Sequence, residues 1–280
     1  MRPADRRRVT EMVAEGGGGA DYLPEQFDSW VADPGASFEA AEVDGTVVAV
    51  HRLRPIATGV MSYEGLRVAA THRRRGIARA LVRRAADEAR DLGFAEIRLF
   101  AQEPESRALF SSEGFRLLAE CATWTGRRME GGDPPRLASP VEAADLAERV
   151  RQDPALAAYG GICADVIDGA LDVDVRLVER LAEQGRVRVG AGGRALALIR
   201  AGFRRRLPVT FLSGSGAALQ DLLMALRFEA DSLGVDAVAV LAPDGHPAGG
   251  DLAEVGYHLA DDEHHTCVFA LELRVSGVRR

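Results

Sequence analysis

The chain of 280 residues is short of cysteine, aromatic rings and positive charge. Its cysteines, Cys121, Cys163 and Cys267, are odd in number and far apart, which argues against a disulfide framework or a zinc ribbon. Aromatic residues are only 6% of the chain. The formal net charge is -7, so nonspecific nucleic-acid binding lacks the positive field it needs. The clusters Arg6-Arg7-Arg8, Arg204-Arg205-Arg206 and Arg279-Arg280 are short and scattered, and read as solvated surface. No run of about 20 apolar residues could span a bilayer, and the first residues hold no apolar signal-peptide core. The expectation is a soluble protein of a reducing cytosol, with neither nucleic-acid nor membrane partners.

Apolar residues make up 47% of the chain, enough for packed cores, and the length suits two domains. The clearest composition break is "TGRRMEGGDPP", 125–135, rich in Gly, Pro and charge and without an apolar period. It suggests a first domain over 1–127, a linker over 128–135 and a second domain over 136–280. Before the break, residues 4–15 and "YLPEQFDSWVAD" read as helices, the latter with Pro24 near its first turn. "SFEAAEVDGTVVAVHRL" reads as two strands joined at Asp44-Gly45, and "GVMSYEGLRVAA" as a third. A helix over about 76–92 follows, closed by Gly93, then strand, short helix and strand. A similar order recurs after the break. "EARDLGFAEIRLFA" (88–101) lines up with "EADSLGVDAVAVLA" (229–242), which suggests a duplicated unit. The second half opens with "PRLAS", a candidate strand, whereas the first offers only Met1-Arg2-Pro3. The first strand of the first half is therefore missing, very short or supplied by another segment.

The stretch "THRRRGIARALVRRAADEA", 71–89, carries the chemistry. Ile77, Leu81, Ala85, Ala89 and Leu92 mark one apolar helix face. The helix starts near Gly76, where its free N–H groups and positive dipole end meet Arg73, Arg74 and Arg75. Gly76 and the small Ala78 let a ligand approach the backbone. This is an anion site suited to a diphosphate, although a loop with solvated arginines would share the same residues.

"RVAATHRRRGIARALV" resembles the acetyl-CoA motif of the GNAT N-acetyltransferase superfamily: Arg or Gln, two residues, Gly, one residue, then Gly or Ala, here Arg73, Gly76 and Ala78. "ALFSSEGF" (108–115) resembles the second motif of that family, and the likeness covers about 4–127. "EGLRV" with "YLPEQFDSWVADP" further resembles the histidine N-acetyltransferase-type branch. The resemblance implies a tandem α/β (α+β) fold, each half a mixed central sheet flanked by helices, the C-terminal half a degenerate GNAT-like domain. It implies acetyl-CoA as cosubstrate, with no metal. Leu66, Arg67 and Val68 would line the pantetheine arm, and the N–H of Val68 would serve as an oxyanion donor. Residues Arg73, Arg74, Arg75, Gly76, Ile77, Ala78 and Arg79 would hold the pyrophosphate. The expected reaction is direct attack on the thioester by a primary amine of an amino acid or similar small molecule, with a polyamine, an aminoglycoside or a protein N-terminus as alternative acceptors.

An alkylamine is mostly protonated at pH 7, so a base is required. Glu64, on the strand feeding the site, is the candidate, and a solvent-facing or ion-paired glutamate is the alternative. The family often protonates the leaving thiolate with a tyrosine. The matching position here is Phe110, which has no hydroxyl, and Tyr63 or water is the substitute. The usual Asn of this segment is replaced by Glu103. "GGGG" at 16–19 gives freedom to the loop bordering the acceptor side, and Tyr22, Phe27 and Trp30 could wall a pocket or serve as core.

The second-half counterpart of the phosphate turn is "LSGSGAALQ", 212–220, which has glycines but no matching Arg or Gln. The expectation is a non-catalytic half that covers the first site or forms a homodimer contact. "GAGG" at 190–193 precedes a strand, so it reads as a hairpin turn and not a dinucleotide loop. "DDEHHTC" at 261–267 has metal-ligand residue types without helical pair spacing and reads as a polar turn. A rival to the enzyme reading is an acyl-CoA-binding regulatory protein without chemistry.

Overall fold

Asp44 and Gly45 both take left-handed backbone, φ 50° and 73°, and close the two-residue hairpin that their sequence signalled. The structure is a computed structural model and describes residues 1–15, 21–200, 202, 205–260 and 265–273. The glycine loop 16–19 and Arg204, Arg279 and Arg280 lie outside the described residues.

The first helices are α1 (Arg6–Glu15) and α2 (Leu23–Val31), the latter with Pro24 in its first turn. Three strands follow, β1 (Ser37–Val43), β2 (Thr46–Ala57) and β3 (Val60–Val68). Then come α3 (Ile77–Asp91), β4 (Glu96–Ala101), α4 (Pro104–Ser112) and β5 (Arg116–Arg127). The later elements are β6 (Arg136–Leu137), α5 (Ala143–Gln152), α6 (Pro154–Ala158), β7 (Ile162–Asp165), β8 (Gly169–Asp172), α7 (Val175–Glu183), β9 (Val187–Val189), β10 (Leu196–Ile199) and β11 (Arg206–Ser213). Last are α8 (Gly216–Ser232), β12 (Ala237–Pro243), α9 (Gly249–Glu254), β13 (His258–Leu259) and β14 (Thr266–Glu272).

The chain forms two compact units. The first takes residues 1–100, 104–116 and the chain from Phe269; the second takes 101–103 and 117–268. This division differs from the 1–127 and 136–280 halves drawn from composition. The strand following α4 passes to the second unit at Leu117, and the last strand passes to the first at Phe269. Residues 125–127, at the start of the composition break, extend β5 and pair with Ala237, Val238 and Ala239.

In the first unit the strand order is β1-β2-β3-β4-β14. β1, β2 and β3 are antiparallel, and β3 runs parallel to β4. β2 is buried at every residue from Val47 to Leu53, so both of its faces are covered. One cluster joins Val9 and Met12 of α1, Leu23, Phe27 and Trp30 of α2, and Phe38, Val48 and Val50 of the sheet. α3 packs against β2 and β3 and buries Leu81, Val82, Ala85, Ala86 and Ala89. Leu92, expected on that face, is 61% exposed because the helix has already ended at Asp91. Gly93, φ 81°, closes the helix: its N–H and that of Phe94 bond back to Arg90 and Ala89. Among the described residues, no strand precedes α1. Met1 donates its amino group to the Phe38 carbonyl at 2.9 Å.

In the second unit the order is β5-β12-β11-β10-β9-β6, with β13 also on β5. "PRLAS" supplies the short β6, and "GAGG" forms the turn between antiparallel β9 and β10. α8 buries Leu219, Leu222, Leu223, Leu226 and Ala230 in the core. α6, the β7–β8 hairpin and β13 were not foreseen, since each is too short to show a period.

Candidate active site

The site of the first unit begins where a strand ladder ends. β3 and β4 pair in parallel from Val60–Glu96 to Tyr63–Leu99. Past Tyr63 that ladder stops, while β3 runs on along β2 to Val68. The strands diverge, and Glu64 to Val68 form one side of a slot. Arg67 is opposite Val50, and the Ala69 N–H bonds to the Val48 carbonyl at 2.8 Å. Strand alternation therefore turns the backbone groups of Leu66 and Val68 toward the slot. Their carbonyls accept from arginine side chains: Leu66 from Arg67 Nη1 at 2.9 Å, Val68 from Arg73 Nε at 3.2 Å.

The slot leads to the arginine–glycine turn. Arg74 and Gly76 have left-handed backbone, φ 62° and 82°. Such alternation turns successive N–H groups into an anion-binding concavity. Gly76 is the N-cap of α3 and offers no side-chain acceptor. The Ala80 N–H makes the first helical bond to Gly76, so the amides of Ile77, Ala78 and Arg79 precede the ladder. A β-carbon on Gly76 would meet nothing within 4 Å, so the front of the turn is open. Arg73, Arg74 and Arg75 are exposed, and Arg74 and Arg75 have no ion-pair partner among the described residues. Arg79 is paired with Glu113 at 2.7 Å, and Ile77 packs partly into the core. These features fit a bound diphosphate.

Glu64 is the first residue past the paired ladder. Its Oε1 accepts from Arg52 Nη1 at 2.5 Å and Arg54 Nε at 2.9 Å. Arg52 also bonds Asp33, and its guanidinium stacks 4.8 Å from the Trp30 ring centroid. Arg67 bonds Asp21 at 2.7 Å and lies 5.6 Å from the Tyr22 ring centroid. Tyr22 and Trp30 meet edge to face at 5.9 Å. The cluster holds both signs of charge beside aromatic faces. Phe27 does not share this role: it is fully buried against Phe38 and can touch no acceptor. Asp21, Asp33, Arg52 and Arg54 were missed. The alternation of Arg52 and Arg54 on a strand beside that of Glu64 was the available signal.

On the other face, Tyr63 is buried, and its hydroxyl has no hydrogen-bond partner among the described residues. Burial pushes its phenol well above the ordinary range. Its ring meets Phe110 at 6.1 Å and His51 at 5.5 Å. His51 is fully buried, and burial lowers its pKa against the pull of Glu39. Glu103 is exposed and is counted with the second unit.

In the second unit, the turn before α8 is filled by the chain itself. The Gly214 N–H donates to Asp153 Oδ2 at 2.6 Å, and the Gly216 N–H to Asp251 Oδ2 at 3.0 Å. Internal carboxylates occupy amides that an outside anion would need. None of the described helices is long and apolar enough to cross a membrane.

The profile described as Acetyltransferase (GNAT) family matches residues 9–115. Over 84 residues the chain is 38% identical to the human protein "Probable N-acetyltransferase 16", covering 29% of this chain and 23% of that one. Over 67 residues it is 40% identical to the histidine N-acetyltransferase of Oreochromis niloticus, covering 24% of this chain and 20% of that one. The matches thus span about a quarter or less of these relatives. A GCN5-related N-acetyltransferase from Sphaerobacter thermophilus superposes with TM-score 0.63 at 15% identity, over 98% of this chain and 94% of that one. A tandem GNAT protein from the clavulanic acid biosynthesis pathway superposes with TM-score 0.56 at 15% identity, over 96% and 95%. The fold is therefore of the tandem GNAT kind, and the part of the chain that carries the slot and the arginine–glycine turn is a domain of the GNAT acetyltransferase family.

Proposed function

We propose that this chain is an acetyl-CoA-dependent N-acetyltransferase acting on the primary amine of a small molecule, an amino acid or similar. The observation that carries the reading is the divergence of β3 from β4 after Tyr63, with the open amide turn at Gly76 at its far end. The backbone of Leu66 and Val68 holds the pantetheine arm, and the turn from Arg73 to Arg79 holds the pyrophosphate. The Val68 N–H supports the carbonyl oxygen as charge develops on it.

The amine attacks the thioester carbon directly. The new C–N bond forms, the C–S bond breaks, and Glu64 takes the amine proton, directly or through water. Arg52 and Arg54 fix the Glu64 carboxylate. The sulfur leaves as a thiolate. Tyr63, kept neutral by burial, donates a hydrogen bond to it in place of the hydroxyl that Phe110 lacks. Arginines and carboxylates side by side, at Arg52, Arg54, Asp33 and Asp21, suit an acceptor carrying both an ammonium and a carboxylate. The histidine N-acetyltransferase likeness points the same way. The second unit, its turn closed by Asp153 and Asp251, is non-catalytic. No metal takes part in this reaction, and the cytosol is the expected compartment.

The test is Glu64→Gln against an amino-acid panel, following CoA release. The expected result is a kcat fall of about 10²–10⁴-fold with acetyl-CoA affinity unchanged. The absence of Phe110 hydroxyl chemistry favours a second reading, an acyl-CoA-binding regulator. Tight acetyl-CoA binding without turnover on any amine would select it.

A further inference from the structure

Outside the transferase site, the second unit brings together three metal-ligating side chains from three neighbouring strands. Glu120 lies in β5, Asp244 directly follows β12, and His265 directly precedes β14. The strand order β14-β5-β12 makes these positions neighbours. The ladder pairing Pro243 with Cys121 continues one step, where the Asp244 N–H bonds to the Glu120 carbonyl at 3.0 Å. Two carboxylates therefore stand directly across from each other and concentrate negative charge at one place on the sheet.

His265 Nδ1 lies 3.3 Å from Glu120 Oε1 and 3.7 Å from Asp244 Oδ2. One donor atom from each residue falls within 4.8 Å of the others. Four-coordinate zinc with bonds of about 2.0–2.2 Å sets its donors about 3.3–3.6 Å apart; the two imidazole–carboxylate distances, 3.3 and 3.7 Å, lie close to that spacing, and the two carboxylates would need to close on an ion from within 4.8 Å. One nitrogen and two carboxylate oxygens suit a first-row divalent ion of the zinc type better than calcium or magnesium, which prefer all-oxygen shells.

We infer that Glu120, Asp244 and His265 form a divalent transition-metal site that clips the start of β14 to β5 and the end of β12. The three side chains are partly exposed, which gives an ion access and leaves a coordination position for water. The site takes part in no step of the acetyl transfer and stands independently of that reading. Of "DDEHHTC", His265 contributes to it, and residues 261–264 lie outside the described residues. The other ligands come from strands distant in sequence, which is why spacing within the motif did not reveal it.

The test uses the full chain, stripped with a chelator and titrated with Zn²⁺ by calorimetry, with thermal unfolding followed in parallel. The expected result is one ion per chain and a Tm that rises with Zn²⁺. Affinity should fall at least about tenfold in both His265→Ala and Asp244→Asn. Asp244 is mostly exposed, so its variant reports even if the histidine variant fails to fold. No saturable binding by the folded wild type, or equal affinity in the Asp244→Asn variant, would overturn the assignment.

Discussion

The Trp30 ring lies so close to Gly65 that a β-carbon on the glycine would stand 2.5 Å from Trp30 Cζ3. Gly65 also has φ 68°, and the β2–β3 register shifts beside it. This bulge separates the paired part of β3 from the part that lines the slot, and α2 is seated on it through Trp30. Gly65→Ala therefore combines backbone strain with overpacking. The expected destabilisation is about 2–4 kcal/mol, read by urea unfolding. A change within about 0.5 kcal/mol would mean that Trp30 moves aside freely.

Tyr63→Phe removes one hydroxyl and leaves the contacts with Phe110 and His51 in place. A hydrogen bond to a charged partner contributes about 1.5–3 kcal/mol, so kcat should fall roughly 10- to 100-fold. Acetyl-CoA affinity should stay within about twofold. Full activity would show that water alone suffices for the leaving thiolate.

Much of this was legible from the chain. Asp44-Gly45, Gly76 and Gly93 announced a hairpin and both ends of α3, because each requires a backbone that few residues adopt. The arginine–glycine turn was legible for the same reason. The pairing of Glu64 with Arg52 and Arg54 was not, since it depends on a register set by the bulge at Gly65. Phe27 and Trp30 look alike in a helical pattern, yet one is sealed in the core and the other reaches Arg52. The passage of β5 and β14 into different units left no mark in composition, because a strand has the same pattern whichever sheet receives it.

Two buried histidines set an acid limit on stability. His51 lies beside Glu39, which Arg84 also bonds, and burial is the larger influence on the ring. His246 bonds the Leu212 carbonyl through Nε2 and accepts from the Ala248 N–H through Nδ1, both at 3.0 Å, so it is held neutral. Burial lowers both pKa values below the ordinary 6.5. Below pH 6.5 the unfolded chain gains protons that the folded chain does not. Their contribution is thus complete above pH 6.5 and is lost as pH falls toward the folded pKa. The steepest loss is about 1.4 kcal/mol per pH unit for each ring. Urea unfolding between pH 7.5 and 5.5 should show this fall, with a shallower slope in His246→Gln. An unchanged slope in that variant would remove His246 from the account.

The central claim is that the turn from Arg73 to Arg79 receives the diphosphate of acetyl-CoA. Its most direct test is calorimetric titration with acetyl-CoA of the wild type and of an Arg74→Ala, Gly76→Asp double variant. The account predicts one site per chain, abolished in the variant while the fold is retained, because the introduced carboxylate would set a negative charge among the amides. Unchanged affinity in the variant, or no binding by the folded wild type, would contradict it. A second site would show that the carboxylates of Asp153 and Asp251 do not close the turn of the second unit.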